Sequence, residues 1–119
     1  MTRATFYISE GIYTGFKIEG HALLSTTSPD VLCAAISGMT NLVINTLSEV
    51  FGVTADFNAD EKVPCIEYRF VTCPDKNIES MSGVIKGFCL QIKDLENQYP
   101  KHLCVTVQQN TTKGNKEND

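Results

Sequence analysis

A histidine in Gly20-His21-Ala22 and a cysteine twelve residues after it, in Asp30-Val31-Leu32-Cys33-Ala34-Ala35-Ile36-Ser37, are the side chains whose types and spacing suit chemistry. A free thiol with a pKa of about 8.5 is only a few per cent ionised at neutral pH, so a cysteine nucleophile needs a base beside it. His21 can be that base. Ser28-Pro29-Asp30 has the order of an N-cap serine, a proline at the first helical position and an acid in the first turn, which predicts a helix start just ahead of Cys33. Helical side chains lean toward the N-terminus, so the sulfur would point back at unpaired N–H groups whose partial positive charge favours a thiolate. Thiol hydrolysis is the chemistry that follows. Spacing alone also admits the alternative that Cys33 is one apolar residue of a buried run, because cysteine packs well in cores without being reactive.

The wording of the segment, Gly-His-Ala, a loop, then Asp-x-x-Cys-Ala-Ala-x-Ser, resembles the ribosomal-processing cysteine protease family, Prp. The resemblance covers nearly the whole chain in length and element order, and its specific part lies between Gly20 and Ser37. It implies an α+β homodimer in which His21 is the base and Cys33 the nucleophile, with Gly20, Asp30 and Ser37 in supporting places. It also implies a substrate, the N-terminal extension of a large-subunit ribosomal protein, removed during bacterial ribosome assembly. Ser37 falls one turn after Cys33, on the same helix face, within reach of a hydrogen bond near the sulfur. Asp30 has two open roles: orienting His21, or stabilising the helix start through the macrodipole. Where the family carries glycines, this chain has Leu23-Leu24-Ser25-Thr26-Thr27-Ser28-Pro29, which predicts a stiffer or differently shaped entrance and leaves the substrate preference open; Leu23 and Leu24 fit either a cover over the site or an ordinary packed loop. The rival functions are a non-catalytic ribosome-associated binding module and a thiol acyltransferase or amidase.

Composition narrows the field. With 119 residues, 42% hydrophobic and 20% charged, the chain fits one domain, expected over residues 1–108, followed by a polar, disordered tail at 109–119. A formal charge of −4 argues against a broad grip on nucleic acid and suits a basic protein substrate. No stretch reads as the roughly twenty apolar residues of a membrane span, and the N-terminus lacks a hydrophobic signal region, so the expected location is the cytoplasm, with no membrane partner. Five cysteines, at 33, 65, 73, 89 and 104, form neither a disulfide framework nor a Cys-x-x-Cys pair. They are expected as free thiols, with Cys65, Cys73, Cys89 and Cys104 filling core. A zinc site borrowing His21, Cys33, His102 and Cys104 lacks the short paired spacings of structural zinc, so neither metal nor cofactor is expected. His102, which follows Pro100-Lys101, is expected at an ordinary strand start rather than as a second base.

The elements that must position the pair follow from periodicity. Residues 3–9 and 13–19 read as strands joined by a turn at Glu10-Gly11, with His21 just past the second. Residues 29–51 read as a long helix stopping at Gly52, apolar on more than one side, which calls for burial or a partner. Residues 53–57 and 64–72 read as strands around a polar loop, and 102–107 as a closing strand. Between them, Ile78, Met81, Ile85, Phe88, Ile92 and Leu95 recur at helical spacing across 77–98. The order ββαββαβ predicts a two-layer α+β domain: two long helices on a largely antiparallel sheet. The excess apolar surface of the first helix favours a twofold homodimer.

Overall fold

A computed structural model of the chain describes residues 1–20, 30–60, 65–72 and 75–110. The elements are β1 (Thr2–Ser9), β2 (Ile12–Gly20), α1 (Asp30–Asn45), β3 (Thr54–Asp60), β4 (Cys65–Thr72), α2 (Ile78–Gln98) and β5 (Leu103–Asn110). They form a five-stranded sheet in the order β3-β4-β2-β1-β5, antiparallel throughout except for the β1–β5 pair. The expected ββαββαβ order and two-layer α+β class hold.

The first hairpin is set by local chemistry. Glu10 and Gly11 both have positive φ, +52° and +81°, as a two-residue type I′ connection requires. Beyond it the register slips between Tyr7 and Ile8, so Tyr7 faces Gly15 while Ile8 faces Tyr13. Such a bulge increases the local twist of the pair. Alternation then sends Ala4, Phe6, Phe16, Ile18 and Tyr68 to one face, where all are buried. The helices cover that face. Phe88 of α2 meets Phe6 and Phe16 edge-on, at centroid distances of 5.5 and 5.1 Å, which locks α2 over the middle strands.

The topology fixes where α1 runs. β2 and β3 each pair antiparallel with β4, so they are parallel to one another, and the α1 connection between them must cross the covered face of β4. Leu32, Ile36, Val43 and Leu47 form its buried stripe. The helix continues through one π turn, Thr46–Val50. Thr40, Thr46 and Ser48 each donate a hydroxyl hydrogen bond, at 2.7 Å, to the carbonyl four residues back, a contact that competes with the regular ladder and bends helices. Gly52, at φ +65°, then ends the segment, and the Val53 amide reaches back to the Leu47 carbonyl at 3.0 Å.

Three expectations are corrected. The polar tail was placed from residue 109, yet β5 runs to Asn110, its last residues pairing with Tyr7, Ile8 and Ser9 because a parallel ladder needs backbone rather than apolar side chains. Residues 111–119 lie outside the described set. No membrane-length stretch was expected, yet Val31–Val50 is long and apolar enough by length and composition, with 28% of it buried. Scattered Ser, Thr, Gly and Asn residues hide that run in the sequence. Cys104 was assigned to the core, but inward-facing Leu103 and Val105 turn it to the exposed face, and Cys65 is half-buried. Cys89 is buried as expected, and Cys73 falls outside the described residues.

Candidate active site

The site begins where β2 ends. Gly20, paired with Thr2, holds φ at +115°, a conformation that disfavours L side chains. A Cβ there would also run into the Met1 carbonyl oxygen and lie 3.0 Å from Thr2 Cα, all of it backbone. Glycine is therefore demanded directly before His21, and the reason is the close approach of the N-terminal strand. His21 itself, and the connection through Pro29, lie outside the described residues, as do the proposed Ser28 cap and the leucine-bearing entrance.

Across that connection, α1 opens at Asp30, whose side chain is not among those described. Cys33 stands in the first helical turn, half-buried, between the buried Leu32 and Ile36 and the exposed Val31 and Ala34. This is the border of the core stripe, where a side chain is held by packing on its inner flank. Ser37, one turn further, is exposed. The fold thus fixes Gly20 and the Asp30–Ser37 turn as separate pieces of the predicted site.

The other sequence candidates sit elsewhere. His102 is half-buried at the turn before β5, its carbonyl accepting the Thr2 amide at 2.9 Å and its own amide bonded to the Tyr99 carbonyl. Among the described residues no three His, Cys, Asp or Glu side chains gather as a metal site. Cys89 is a buried thiol of α2 whose ionisation is pushed up by burial, while Lys93 and a hydrogen bond with the Tyr13 phenol pull the other way. Tyr13 shifts up too, first through burial and then through Cys89. Spacing did not single out Tyr68. Alternation along β4 predicts its burial, but nothing in the sequence signals that its hydroxyl is buried without a hydrogen-bond partner among the described residues.

Comparison with known proteins decides the family. The family described as cysteine protease Prp matches residues 1–104. The chain belongs to the cysteine protease Prp family. A ribosomal processing cysteine protease Prp of Mycoplasma genitalium is 30% identical, over 73% of this chain and 81% of that protein. Among solved structures, SMU.848 of Streptococcus mutans superposes with a TM-score of 0.80 at 23% identity, covering 92% of this chain and 96% of its own. The Staphylococcus aureus ribosomal processing protease Prp, in complex with a covalently linked product peptide, gives 0.76 at 18% identity, covering 91% of this chain and all of its own, 100%. At those identities the structures establish the shared fold, and family membership establishes a cysteine peptidase.

Proposed function

We propose that this peptidase removes the N-terminal extension of a large-subunit ribosomal protein, with Cys33 as nucleophile and His21 as base. Cys33 Sγ attacks the scissile carbonyl carbon while His21 takes the thiol proton. His21 returns that proton to the leaving amine as the C–N bond breaks, and water then hydrolyses the thioester to release the extension. Backbone N–H groups at the start of α1 are candidate donors to the tetrahedral oxyanion. Gly20 aims the strand end that carries His21, Ser37 stands beside the thiol, and Asp30 orients the imidazole or steadies the helix start.

The observation carrying this reading is the half-buried Cys33 in the first turn of α1, in a chain of the Prp family. The S. aureus relative, solved with a substrate peptide and with a covalently linked product peptide, supports a peptide as the molecule acted upon. The M. genitalium relative is a ribosomal processing protease by name, which supports the class of substrate. The net charge of −4 suits a basic ribosomal protein and disfavours direct nucleic-acid binding. A cytoplasmic location follows from that substrate.

The same reading includes a homodimer. Val31, Leu42 and Val50 of the helical segment are 69%, 65% and 73% exposed, and Leu42 borders an apolar groove of about 310 Å³ between α1 and α2, shared with Met39, Val84 and Phe88. Apolar surface of this kind on one long helix is what a twofold partner would cover. The decisive experiment is incubation of a synthetic precursor tail with the protein and with Cys33→Ala, read by mass spectrometry. Two peptides, their masses summing to substrate plus water, are expected from the first and none from the second. Cleavage that survives Cys33→Ala would end the proposal, and it would equally be ended by an intact peptide with the unaltered protein.

A further inference from the structure

Each long helix carries two stripes of apolar or small residues, and the core takes up only one of each. On α1 the inner stripe is Leu32, Ile36 and Val43, while Val31, Ala35, Gly38 and Leu42 follow one another at spacings of four, three and four on the outer side. On α2 the inner stripe runs through Met81, Ile85, Phe88 and Ile92, while Gly83, Gly87 and Leu90 repeat the spacing of four and three, all of them exposed, Leu90 to 58%. Alternation between three and four is the spacing of a seam through which one helix packs on another. The two outer seams meet at the groove between the helices, where Leu42 lies on one wall and Gly87 on the other. Among the described residues no charged side chain lines that groove.

The glycines strengthen the case. Gly38, Gly83 and Gly87 stand inside helices, where glycine is a poorer helix former than alanine. A Cβ at any of the three would meet nothing within 4 Å, so nothing in the described chain requires the smaller residue. Close approach of another backbone is a physical reason to keep glycine there.

The face also says what covers it. Leu42 stands nine positions after Cys33, about two and a half helical turns, so the groove opens on the opposite side of α1 from the thiol. A basic peptide tail would look for carboxylates, and the groove offers none. A second copy fits better. The protruding Leu42 and Leu90 and the hollows at Gly38, Gly83 and Gly87 share one face, which is the self-complementarity that a twofold contact needs. The area suffices as well: Val31–Val50 and α2 hold 20 and 21 residues, so a layer of two helices about 30 Å long and about 20 Å across offers roughly 600 Å² per copy. Two such faces bury about 1,200 Å², the lower end of the range for stable interfaces.

We propose that the outer face of α1 and α2 is a twofold interface, the helix layer of one copy packing on that of a second, with Leu42 and Leu90 set against the glycine seams. The inference rests on the homodimer reading above and assigns its surface. Because the thiol lies on the other flank of α1, each copy keeps its own open site and cleaves independently.

Gly87→Ala discriminates, since one methyl group has opposite effects in the two cases. On a face left to water, alanine strengthens the helix, so the thermal midpoint rises by about 4 °C and association is untouched. In the interface it holds two backbones apart, and sedimentation equilibrium should show a dimer Kd raised at least about tenfold, with kcat/KM per chain within about twofold of the parent. Leu90→Lys, outside the core, should weaken the dimer likewise. If Gly87→Ala and Leu90→Lys both dimerise as tightly as the parent, this interface is overturned and a homodimer through another surface remains. A parent that sediments as a monomer at its highest soluble concentration overturns the homodimer reading and the interface with it, leaving the peptidase reading untouched. A raised KM with an unchanged dimer Kd would make the groove a peptide subsite, which also overturns the proposal.

Discussion

Substituting Gly20 by alanine asks whether the end of β2 aims the residue that follows it. With φ at +115°, an L side chain at this position carries a conformational cost of about 1–2 kcal/mol. The added Cβ would meet the Met1 carbonyl oxygen, with Met1 C at 3.2 Å and Thr2 Cα at 3.0 Å. These are main-chain atoms of the partner strand, so no rotamer change relieves the contact and the last β1–β2 pairing must open. A lost ladder hydrogen bond adds about 1 kcal/mol. The total of roughly 2–3 kcal/mol is small against a typical domain stability of about 5–15 kcal/mol, so the variant folds. For a chain of this size it should melt roughly 8–15 °C lower. Catalysis should suffer more than folding does, because an imidazole displaced by about 1 Å costs about a hundredfold in rate. Thermal denaturation and peptide cleavage on the same preparation check both numbers. A folded Gly20→Ala protein with undiminished kcat/KM would refute the argument that this glycine sets the direction of His21.

Leu42→Glu places a charge on the exposed apolar stripe of α1 without entering the core, so if the proposed homodimer forms through that stripe, sedimentation equilibrium should show a dimer for the parent and a monomer for the variant, with an unchanged circular dichroism spectrum. Phe88→Ala removes the ring that meets both Phe6 and Phe16 and should destabilise by about 3–5 kcal/mol in denaturant titration, the usual range for a buried phenylalanine. Stability should fall as pH rises above about 8.5, the ordinary thiol value. The sign follows from Cys89, Tyr13 and Tyr68, whose ionisation the fold pushes upward through burial. Above the unfolded value the unfolded chain has already lost protons that the native chain still binds, so the unfolding free energy decreases with pH. Urea midpoints at pH 7, 8.5 and 10 check this, and a midpoint that rises across the series would contradict it.

Local chemistry made much of the fold legible, and pairing between distant strands did not. Glu10-Gly11 announces a hairpin, Gly52 a helix end, and Ile78 to Leu95 an amphipathic stripe, because each signal is complete within a few residues. The parallel join of β1 to β5 brings Thr2 beside Leu103, and no short window of sequence records it. The extension of β5 to Asn110 escaped for the same reason, its polar residues being held by ladder bonds to β1. The candidate site divides along the same line. Cys33 near a helix start could be read from its neighbours, whereas the need for glycine at position 20 arises from Met1 and Thr2, which only the folded sheet brings close. The Tyr68 hydroxyl, buried without a hydrogen-bond partner among the described residues, is the extreme case: such a state is a property of the surroundings and leaves no trace in a one-dimensional pattern.

The arrangement of elements explains how such a small domain can carry the two members of the proposed catalytic pair on two different segments. Phe16 on β2, Leu32 and Ile36 on α1 and Phe88 on α2 belong to one buried cluster, so the strand end before His21 and the helix turn bearing Cys33 are braced against the same core. Packed interiors resist deformation, which makes the spacing between those two ends a property of the cluster rather than of the residues joining them. The connection from His21 to Pro29 can then vary in sequence, as the leucines here do, while the chemistry keeps its frame. It follows that cavity-forming changes at Phe16 or Ile36 should lower kcat in proportion to the misplacement they cause, whereas exchanges at Leu23 or Leu24 should act on KM. The opposite pattern would mean that the loop, and not the core, sets the distance between base and thiol.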